Sequence, residues 1–420
     1  MNTQANTKSN FGAKGWLMIF FAGVMLYFYA GFCTDGLNVI VGNFAGAHGL
    51  DSAYILGLAT PASWAGLIGS VLWAWFVNKL GTRTGILVTG ILGGISFMLY
   101  GVVSTAAGFF LVTALVNFMG MGFAYTCANT LMASWFPMKK GLALGWSTMG
   151  QNLASATFIP LLQFFMYKFS LNGSFYAMGI LLVIFSALGF LMVRNNPEEL
   201  GCAPDNGTFT KEELEANLRE IQEYKSPWTP GKLLVNRQIW LIGLGFGIYI
   251  LVTVSLISQL IPRLTSSGWS EGKATGMMTI AAILGLVGSY ATGWLDQKLG
   301  TRKVSMLYGA WYLVALILCI LPANDVTLYA SIFFIGIGIG GVGNLFPSMA
   351  ATVFGRFDFV RAMGVLNPIT SIMRSFAFVI LSFGLSRLGG YAGAYAIIAV
   401  LDVVGILLVS RIDETCIGKR

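Results

Sequence analysis

The sequence Lys-Leu-Gly-Thr-Arg occurs twice in this chain, at residues 79–83 and again at residues 298–302. Each copy follows a long apolar segment that contains tryptophan, and each precedes another apolar segment. A repeat at such a large spacing indicates two homologous halves rather than a solenoid of short units. We therefore expect the same short basic turn to connect two long apolar helices once in each half.

The composition shows whether these helices fold in water or in a lipid bilayer. Hydrophobic residues make up 56% of the chain and charged residues only 10%, whereas soluble proteins carry about 25% charged residues. Apolar runs of about 20 residues, the length that a helix needs to cross a bilayer, recur along the whole chain. The sequence thus predicts an all-α polytopic membrane protein. Its scattered cysteines and single histidine show no metal-ligand spacing, so no metal, cofactor or enzymatic activity is expected.

The apolar runs predict twelve transmembrane helices, which we number α1–α12 in chain order. Six helices in each half form two pseudo-symmetric bundles, at residues 1–193 and 237–420, joined by a polar linker at 194–236. The predicted ranges are α1 15–43, α2 53–77, α3 84–103, α4 107–135, α5 141–169, α6 175–193, α7 238–262, α8 272–295, α9 304–321, α10 326–354, α11 362–386 and α12 392–411.

The placement of lysine and arginine predicts the orientation. Basic residues concentrate at the two termini, in the linker and in the loops after α2, α4, α8 and α10, and they are few in the opposite loops. By the positive-inside rule, both termini and the linker face the cytoplasm, as in a multi-pass protein of the inner (plasma) membrane. The net charge of +8 is therefore a topology signal and not a sign of nucleic-acid binding. Within the linker, residues 211–220 are predicted to form an amphipathic helix.

A second repeat relates the two halves. Phe-Met-Gly-Met-Gly-Phe at 118–123 in α4 matches Phe-Ile-Gly-Ile-Gly-Ile at 334–339 in α10. Parallel six-helix repeats place a binding site between the halves, near the middle of the bilayer. The glycine face that continues from α10 is interpreted as close helix packing and not as a dinucleotide site, because no strand precedes it.

Residues 293–303, Gly-Trp-Leu-Asp-Gln-Lys-Leu-Gly-Thr-Arg-Lys, resemble the loop after helix 8 of the major facilitator superfamily. Residues 135–145, 196–199 and 236–240 further resemble its monocarboxylate and oxalate–formate exchanger branch. The resemblance implies the major facilitator fold and a secondary transporter that works by alternating access.

The resemblance also implies a gating role for the two repeated loops. Asp296 is expected to cap a helix across the interface, while Gly300 and Arg302 complete the second loop. The first loop keeps Gly81 and Arg83 but has no aspartate at the matching position. A weaker latch is therefore expected in the first half.

Ionisable residues inside a bilayer are costly and mark functional sites by default. Arg374 is the most informative, because it lies midway along α11, about 20 Å from either end at 1.5 Å per residue. It is interpreted as an anchor for a substrate carboxylate, since a guanidinium offers a planar charged fork. The alternative, left open by the sequence, is a structural ion pair with Asp402 on the neighbouring α12.

The resemblance also bears on substrate charge. Oxalate–formate exchangers carry an arginine in helix 8 and a lysine in helix 11, and the matching positions here are Ser289 and Thr370. Arg374 lies one turn beyond the second position. One central cation thus replaces two, which favours a monoanion or a zwitterion over a dianion.

Asp35, in the outer half of α1, has three possible roles in addition to a simple position near water. It could attract a substrate cation, carry a coupling proton, or pair with Arg374 in one gating state. The other predicted substrate-binding residues are polar or aromatic side chains inside the helices. They are Asn38, Trp64, Gln151, Asn152, Tyr249, Asn344 and Asn367.

These features predict a secondary active transporter for a small carboxylate-bearing organic anion, by exchange or proton coupling. The alternative is a betaine-like or amino-acid-like zwitterion, with Arg374 binding the carboxylate and Asp35 or aromatic side chains binding the cation. A non-transporting membrane sensor is a further alternative, against which the short linker argues. The expected partners are the organic solute, protons and membrane lipids, and the protein is expected to be a monomer.

Overall fold

The computed structural model describes residues 10–418, apart from the side chains of Asn38 and Ala53. Within this range the chain is helical, with one isolated β-bridge between Ala203 and Gly207 and no β-strand. Ten continuous helical runs are long and apolar enough to cross a membrane. Two of them contain a sharp break, at Ser170 (φ 79°) and at Gly355 (φ 68°). The described residues therefore contain twelve spans, as predicted.

The first bundle contains α1–α6, and the second contains α7–α12. In the first bundle the spans are α1 (Gly12–Asp35, continued by Leu37–His48), α2 (Ser52–Ser63 and Ala65–Leu80), α3 (Thr82–Met98), α4 (Ala106–Trp135), α5 (140–169) and α6 (171–192). In the second they are α7 (Arg237–Ser258, continued by Leu260–Ser266), α8 (Glu271–Leu299), α9 (Thr301–Ile320), α10 (Asp325–Ile339, continued by 342–354), α11 (356–387) and α12 (Tyr391–Ser410).

Several helix boundaries differ from the predicted ones by a few residues, and at two of them helix replaces most of a predicted loop. Residues 170–174 were expected to form a loop, but the chain reverses at Ser170 and α6 begins at once. The charged stretch before residue 362 was also expected to be a loop, yet α11 already begins at residue 356. Arg356 and Asp358 tolerate burial there because Glu198 and Tyr224 of the linker bind them.

Two spans contain wide, π-helical turns, at Ala30–Asp35 in α1 and at Met121–Ala128 in α4. Such turns are rare and occur frequently at functional sites, because they rotate the side chains that follow them. Both turns lie beside the space between the bundles.

The linker and the loops at 79–83 and 298–302 lie at one end of the bundles, which we call the linker side. The linker contains short turns at Pro197–Leu200 and Pro204–Asn206 and helices at Lys211–Glu223 and Pro230–Val235. The first of these helices is the predicted amphipathic one, and Thr210 and Glu213 form a capping box at its start.

The two bundles touch through backbone on the linker side. A Cβ atom added to Gly145 of α5 would lie 3.1 Å from the Cα of Gly293 on α8, and one added to Gly293 would lie 2.5 Å from the carbonyl oxygen of Gly141. Because no side chains intervene, α5 and α8 approach as closely as helices can. This glycine contact closes the linker side.

Candidate substrate site

Arg374 lies in the middle of α11 and is exposed. Its guanidinium is within hydrogen-bonding reach of the Tyr29 hydroxyl of α1, on the other bundle, and its charge also acts on Tyr125 of α4. Among the described residues, ion pairs form between Arg219 and Glu215 and between Arg356 and Glu198, and none involves Arg374. The guanidinium of Arg374 therefore faces the space between the bundles and forms no ion pair with a described carboxylate.

Tyr29 and Tyr125 form the opposite wall of this space. Their rings meet edge to face, with centroids 4.8 Å apart, an arrangement that the charge distribution of aromatic rings favours. The Tyr125 hydroxyl is also within hydrogen-bonding reach of Gln151 on α5. Tyr29 lies just before the wide turn of α1 and Tyr125 lies inside the wide turn of α4.

Asp35 ends the wide turn of α1 and is partly buried. Its carboxylate accepts a hydrogen bond from Ser155 of α5 at 2.7 Å and one from Thr34 at 3.3 Å. Its charge acts on Tyr125, the residue that also faces Arg374. Thus Arg374, Gln151 and Asp35 belong to one polar cluster, in which each of them interacts with Tyr125.

Asn152 and Asn344 lie in the closed contact between the bundles, on either side of Ser289. Asn152 donates hydrogen bonds to the Gly285 carbonyl at 3.0 Å and to the Ser289 hydroxyl at 2.8 Å. Asn344 donates to the Ser289 carbonyl at 2.7 Å and accepts a very short hydrogen bond from Thr148. All five residues are neutral, so the position that matches the arginine of the exchangers holds no charge.

Three of the other predicted substrate-binding residues, Asn367, Trp64 and Tyr249, form none of the contacts described for the cluster. Asn367 is buried on α11, two turns before Arg374, and its amide nitrogen has no hydrogen-bond partner in the described part of the chain. Trp64 is 56% exposed at the bend of α2. Tyr249 is fully buried inside the second bundle. The side chain of Asn38 lies outside the described residues.

Asp402 does not pair with Arg374. It is fully buried on α12, and neither carboxylate oxygen has a hydrogen-bond partner among residues 10–418. Its charge acts on Tyr249 and on two tyrosines of α9. The ion pair that the sequence left open as an alternative is therefore absent from this state of the protein.

The two repeated loops have matching backbone geometry and matching caps. Gly81 (φ 85°) and Gly300 (φ 86°) both take a backbone conformation that favours glycine. The amide of Arg83 donates to the Asn195 side chain at 2.8 Å, and that of Arg302 donates to the Glu414 side chain at 2.8 Å. Asn195 and Glu414 are themselves separated by the spacing of the repeat, so the symmetry extends to the caps.

The arginine side chains of these loops bind within their own bundles. Arg83 donates to the Phe190 carbonyl at the end of α6, and Arg302 donates to the Ile412 carbonyl beyond the end of α12. Both contacts place a cation at a helix C-terminus, where the helix dipole favours positive charge.

Asp296 instead faces the partner bundle. Its carboxylate accepts a hydrogen bond from Ser348 of α10 at 2.5 Å and packs against Gly141, at the start of α5. A Cβ atom on Gly141 would lie 2.4 Å from this carboxylate. A carboxylate at a helix N-terminus is favoured by the helix dipole, so we expect this contact to stabilise the closed linker side.

The linker ties both bundles together at the same end. Asp205 accepts hydrogen bonds from the amides of Met138 and Lys139, between α4 and α5, at 3.0 and 2.8 Å. Burial raises the pKa of the Asp205 carboxyl, against the opposing effect of these two amides. Earlier in the linker, the side chain of Glu198 forms a buried 2.6 Å ion pair with Arg356 of α11.

We expect Gly293→Val to destabilise the closed linker side, because the added side chain would overlap the backbone of α5. Overpacking of this kind costs about 1–3 kcal/mol, which would shift the ratio of closed to open molecules by roughly 5-fold to 150-fold. Spin labels on Lys79 and Lys298, exposed at equivalent positions of the two bundles, measure the linker-side separation, which should increase.

Gly276→Val is the matched control for this variant. Gly276 also lies on α8, but a Cβ atom there would meet nothing within 4 Å. It should leave the distance between the labels unchanged. An unchanged distance in Gly293→Val would show that the glycine contact does not set the closed state.

The sequence did not single out Tyr29. Regular helical spacing places Phe28, Gly31, Phe32 and Asn38 on one face of α1 with Asp35, and this face does not include Tyr29. In the structure Phe28 and Phe32 pack on aromatic side chains of the first bundle instead. The wide turn changes the number of residues per turn between Tyr29 and Asp35, and no residue pattern in the sequence marked it.

Two six-helix bundles that close on one side of a central polar cluster define an alternating-access membrane transporter. The family model of the Major Facilitator Superfamily matches residues 19–378. The chain belongs to this superfamily, and the predicted resemblance to it is confirmed.

Curated relatives support the predicted branch. The chain is 25% identical to the oxalate:formate antiporter of Oxalobacter formigenes over 69% of its own length and 66% of the relative's. It is 23% identical to human monocarboxylate transporter 2 over 72% of its own length and 64% of the relative's. The chain thus spans about two thirds of the length of these two relatives.

A solved structure shows the same fold. FucP, the fucose:proton symporter of E. coli, aligns in its outward conformation with a TM-score of 0.69. The alignment covers 94% of this chain and 98% of that chain at 17% identity.

Proposed function

We propose that this transporter moves a small carboxylate-bearing organic monoanion, which Arg374 binds between the two bundles. The observation that carries the proposal is the exposed guanidinium in the middle of α11, which no carboxylate of the described residues neutralises. An arginine at this depth is costly without an anion. A substrate carboxylate would supply two acceptors for its fork.

The charges around the cluster favour one negative charge on the substrate. The Ser289 position, which matches the helix 8 arginine of the exchangers, lies in a contact made of neutral side chains. Arg374 is therefore the cation that faces the cluster. A dianion would bring a second charge without a partner, and a desolvated unpaired charge is strongly unfavourable.

The similarity to an oxalate:formate antiporter and to a monocarboxylate transporter supports a carboxylate substrate. Tyr29 and Tyr125 would face the apolar or hydroxylated part of such a substrate, and Gln151 would contribute a neutral hydrogen bond. Exchange needs no titrating side chain in this arrangement. In a proton-coupled cycle, Asp35 would carry the proton within the same cluster.

A zwitterion is the second candidate, and the position of Asp35 favours it. Asp35 and Arg374 both act on Tyr125 with opposite charges, so the cluster offers a carboxylate for a substrate cation and a guanidinium for a substrate anion. The tyrosine faces could stack on an ammonium group. In this case Asp35 would stay ionised and contact the substrate.

With both termini in the cytoplasm, as the basic residues predict, the closed linker side is the cytoplasmic side. The cluster would then be accessible from outside the cell, and the structure would represent the outward-open half of the cycle. Rocking of the bundles would break the α5–α8 contact and expose Arg374 to the cytoplasm.

A ligand panel tests the substrate class. The melting temperature of the purified protein would be measured with formate, lactate, oxalate, glycine betaine, neutral amino acids and simple amines. A ligand at 100 times its dissociation constant adds about 2.7 kcal/mol to stability, so monocarboxylates should raise the melting temperature clearly. Stabilisation by betaine or amino acids alone would favour the zwitterion, and stabilisation by amines alone would contradict the proposal.

A further inference from the structure

Asp402 is a carboxyl group buried inside the second bundle, away from the substrate cluster. It is fully buried, and both of its oxygens lack hydrogen-bond partners among the described residues. α12 packs against α7, α9 and α11. No charged side chain of these helices acts on its carboxyl group. The described surroundings therefore hold no cation to balance an ionised Asp402.

Three tyrosines surround this carboxyl group. They are Tyr249 of α7 and Tyr308 and Tyr312 of α9, all within reach of its charge. The rings of Tyr249 and Tyr308 are 5.5 Å apart, and those of Tyr308 and Tyr312 are 4.9 Å apart. These are the titratable groups that face Asp402 from α7 and α9, and no such group faces it from α11.

Glycines bring the Tyr249 hydroxyl next to α9 and α12. A Cβ atom on Gly309 would lie 2.6 Å from this hydroxyl, and one on Gly405 would lie 3.2 Å from the ring. Gly405 is less than one turn from Asp402 on the same helix. The Tyr249 hydroxyl itself has no hydrogen-bond partner in the described part of the chain.

A buried carboxylate without a cation is strongly unfavourable, so such a group binds a proton or a metal ion. Hard metal ions need about six oxygen ligands, and the described residues contain no cluster of three acidic, histidine or cysteine side chains. Binding of a proton requires only the carboxyl group and a hydroxyl group as hydrogen-bond partner. The surroundings of Asp402 thus favour binding of a proton over binding of a metal ion.

We propose that Asp402 and Tyr249 form a proton-binding site in the second bundle, and that α7 transmits its occupancy to α11. In this structure the Asp402 oxygens and the Tyr249 hydroxyl form no hydrogen bond with each other. A movement of α7 towards α12 would let the protonated carboxyl group donate to the Tyr249 hydroxyl. When the proton leaves, the tyrosine becomes the donor to the carboxylate, and the local packing of α7 changes. The proton-binding site does not depend on which substrate the transporter carries.

The packing of α7 connects this site to Arg374. Gly247, two residues before Tyr249, packs against Met373, so that a Cβ atom on Gly247 would lie 2.8 Å from the Met373 side chain. Met373 immediately precedes Arg374 on α11. A shift of α7 at Tyr249 therefore displaces the segment that carries the proposed substrate anchor.

Infrared spectroscopy of the lipid-reconstituted protein tests proton binding. The wild type at neutral pH should show the C=O stretching band of a protonated carboxyl group that Asp402→Asn lacks and Asp35→Asn retains. Asp402→Glu and Tyr249→Phe should shift this band, which keeps the test valid if Asp402→Asn does not fold. Identical spectra of all variants would overturn the proposal. A band that appears only after choline replaces sodium in the buffer would also overturn it, because Asp402 would then bind sodium instead of a proton.

The spin labels on Lys79 and Lys298 test the transmission. In the wild type the distribution of linker-side distances should change with pH, and in Asp402→Asn this change should be lost. Asp325→Asn is the control, because Asp325 is an exposed carboxylate at the start of α10, outside the cluster, and it should keep the pH response. An equal response in wild type and Asp402→Asn would overturn the proposed link between the proton and α7.

Discussion

Arg374→Gln is expected to bind the transported monoanion about 100-fold more weakly, or worse, and to lose transport in proteoliposomes. Hydrogen bonds to charged groups contribute about 1.5–3 kcal/mol each, and each loss of 1.4 kcal/mol weakens binding about tenfold. Arg374→Lys keeps the charge but loses the planar fork. Its substrate affinity and transport rate should therefore lie between those of the wild type and those of Arg374→Gln. The measurements are the ligand-dependent melting temperature and the uptake of labelled substrate.

Arg387→Gln provides the control, because Arg387 lies at the exposed end of the same helix. It should bind and transport like the wild type. The ligand-free melting temperature of Arg374→Gln should also be unchanged, since Arg374 is exposed and forms no ion pair in the described part of the chain. Wild-type affinity in Arg374→Gln would show that Arg374 does not bind the substrate. Asp35 would then be the next candidate, and the substrate would carry a cationic group.

Glu198→Gln is expected to lower the free energy of unfolding by about 3–5 kcal/mol, because it leaves the buried Arg356 without its partner. The pair joins the segment after the first bundle to the first residue of α11, and both side chains are almost completely buried. The double variant Glu198→Gln with Arg356→Gln removes both charges and should lose less. Chemical denaturation of the detergent-solubilised protein measures these differences.

The matched control is the exposed ion pair between Glu215 and Arg219, whose charged atoms are 3.9 Å apart and whose side chains are 71% and 75% exposed, respectively. Exposed pairs contribute about 0–1 kcal/mol, so Glu215→Gln should have almost no effect. If Glu198→Gln were equally mild, the linker would not be a structural tie between the bundles.

The number and order of the helices could be predicted because apolar length and the positions of basic residues depend on the bilayer alone. The linker helix was predictable for a similar local reason, its charged amphipathic pattern. The start of α11 was not predictable, because Arg356 and Asp358 are buried only through partners in a distant part of the chain. A charged stretch without such partners would form a solvated loop.

The cluster was predictable only in part. Arg374, Asp35 and Gln151 were found because polar groups in apolar helices are conspicuous. Asn152 and Tyr249 were assigned to the same site, but the structure places Asn152 in the closed contact and Tyr249 beside Asp402. A membrane helix that is apolar on all sides does not reveal which face meets the partner bundle. Tyr29 escaped notice because a wide turn precedes Asp35.

The backbone contact between Gly141, Gly145 and Gly293 also affects the thermodynamics of the conformational change. Glycine has no side chain to immobilise, whereas ordering a long side chain costs up to about 2 kcal/mol of conformational entropy. At this contact, the bundles can close and separate without freezing or releasing rotamers, and with little change in the apolar surface that meets water. This part of the transition should therefore contribute little to the heat capacity change, and its contribution to the balance between the two states should depend only weakly on temperature.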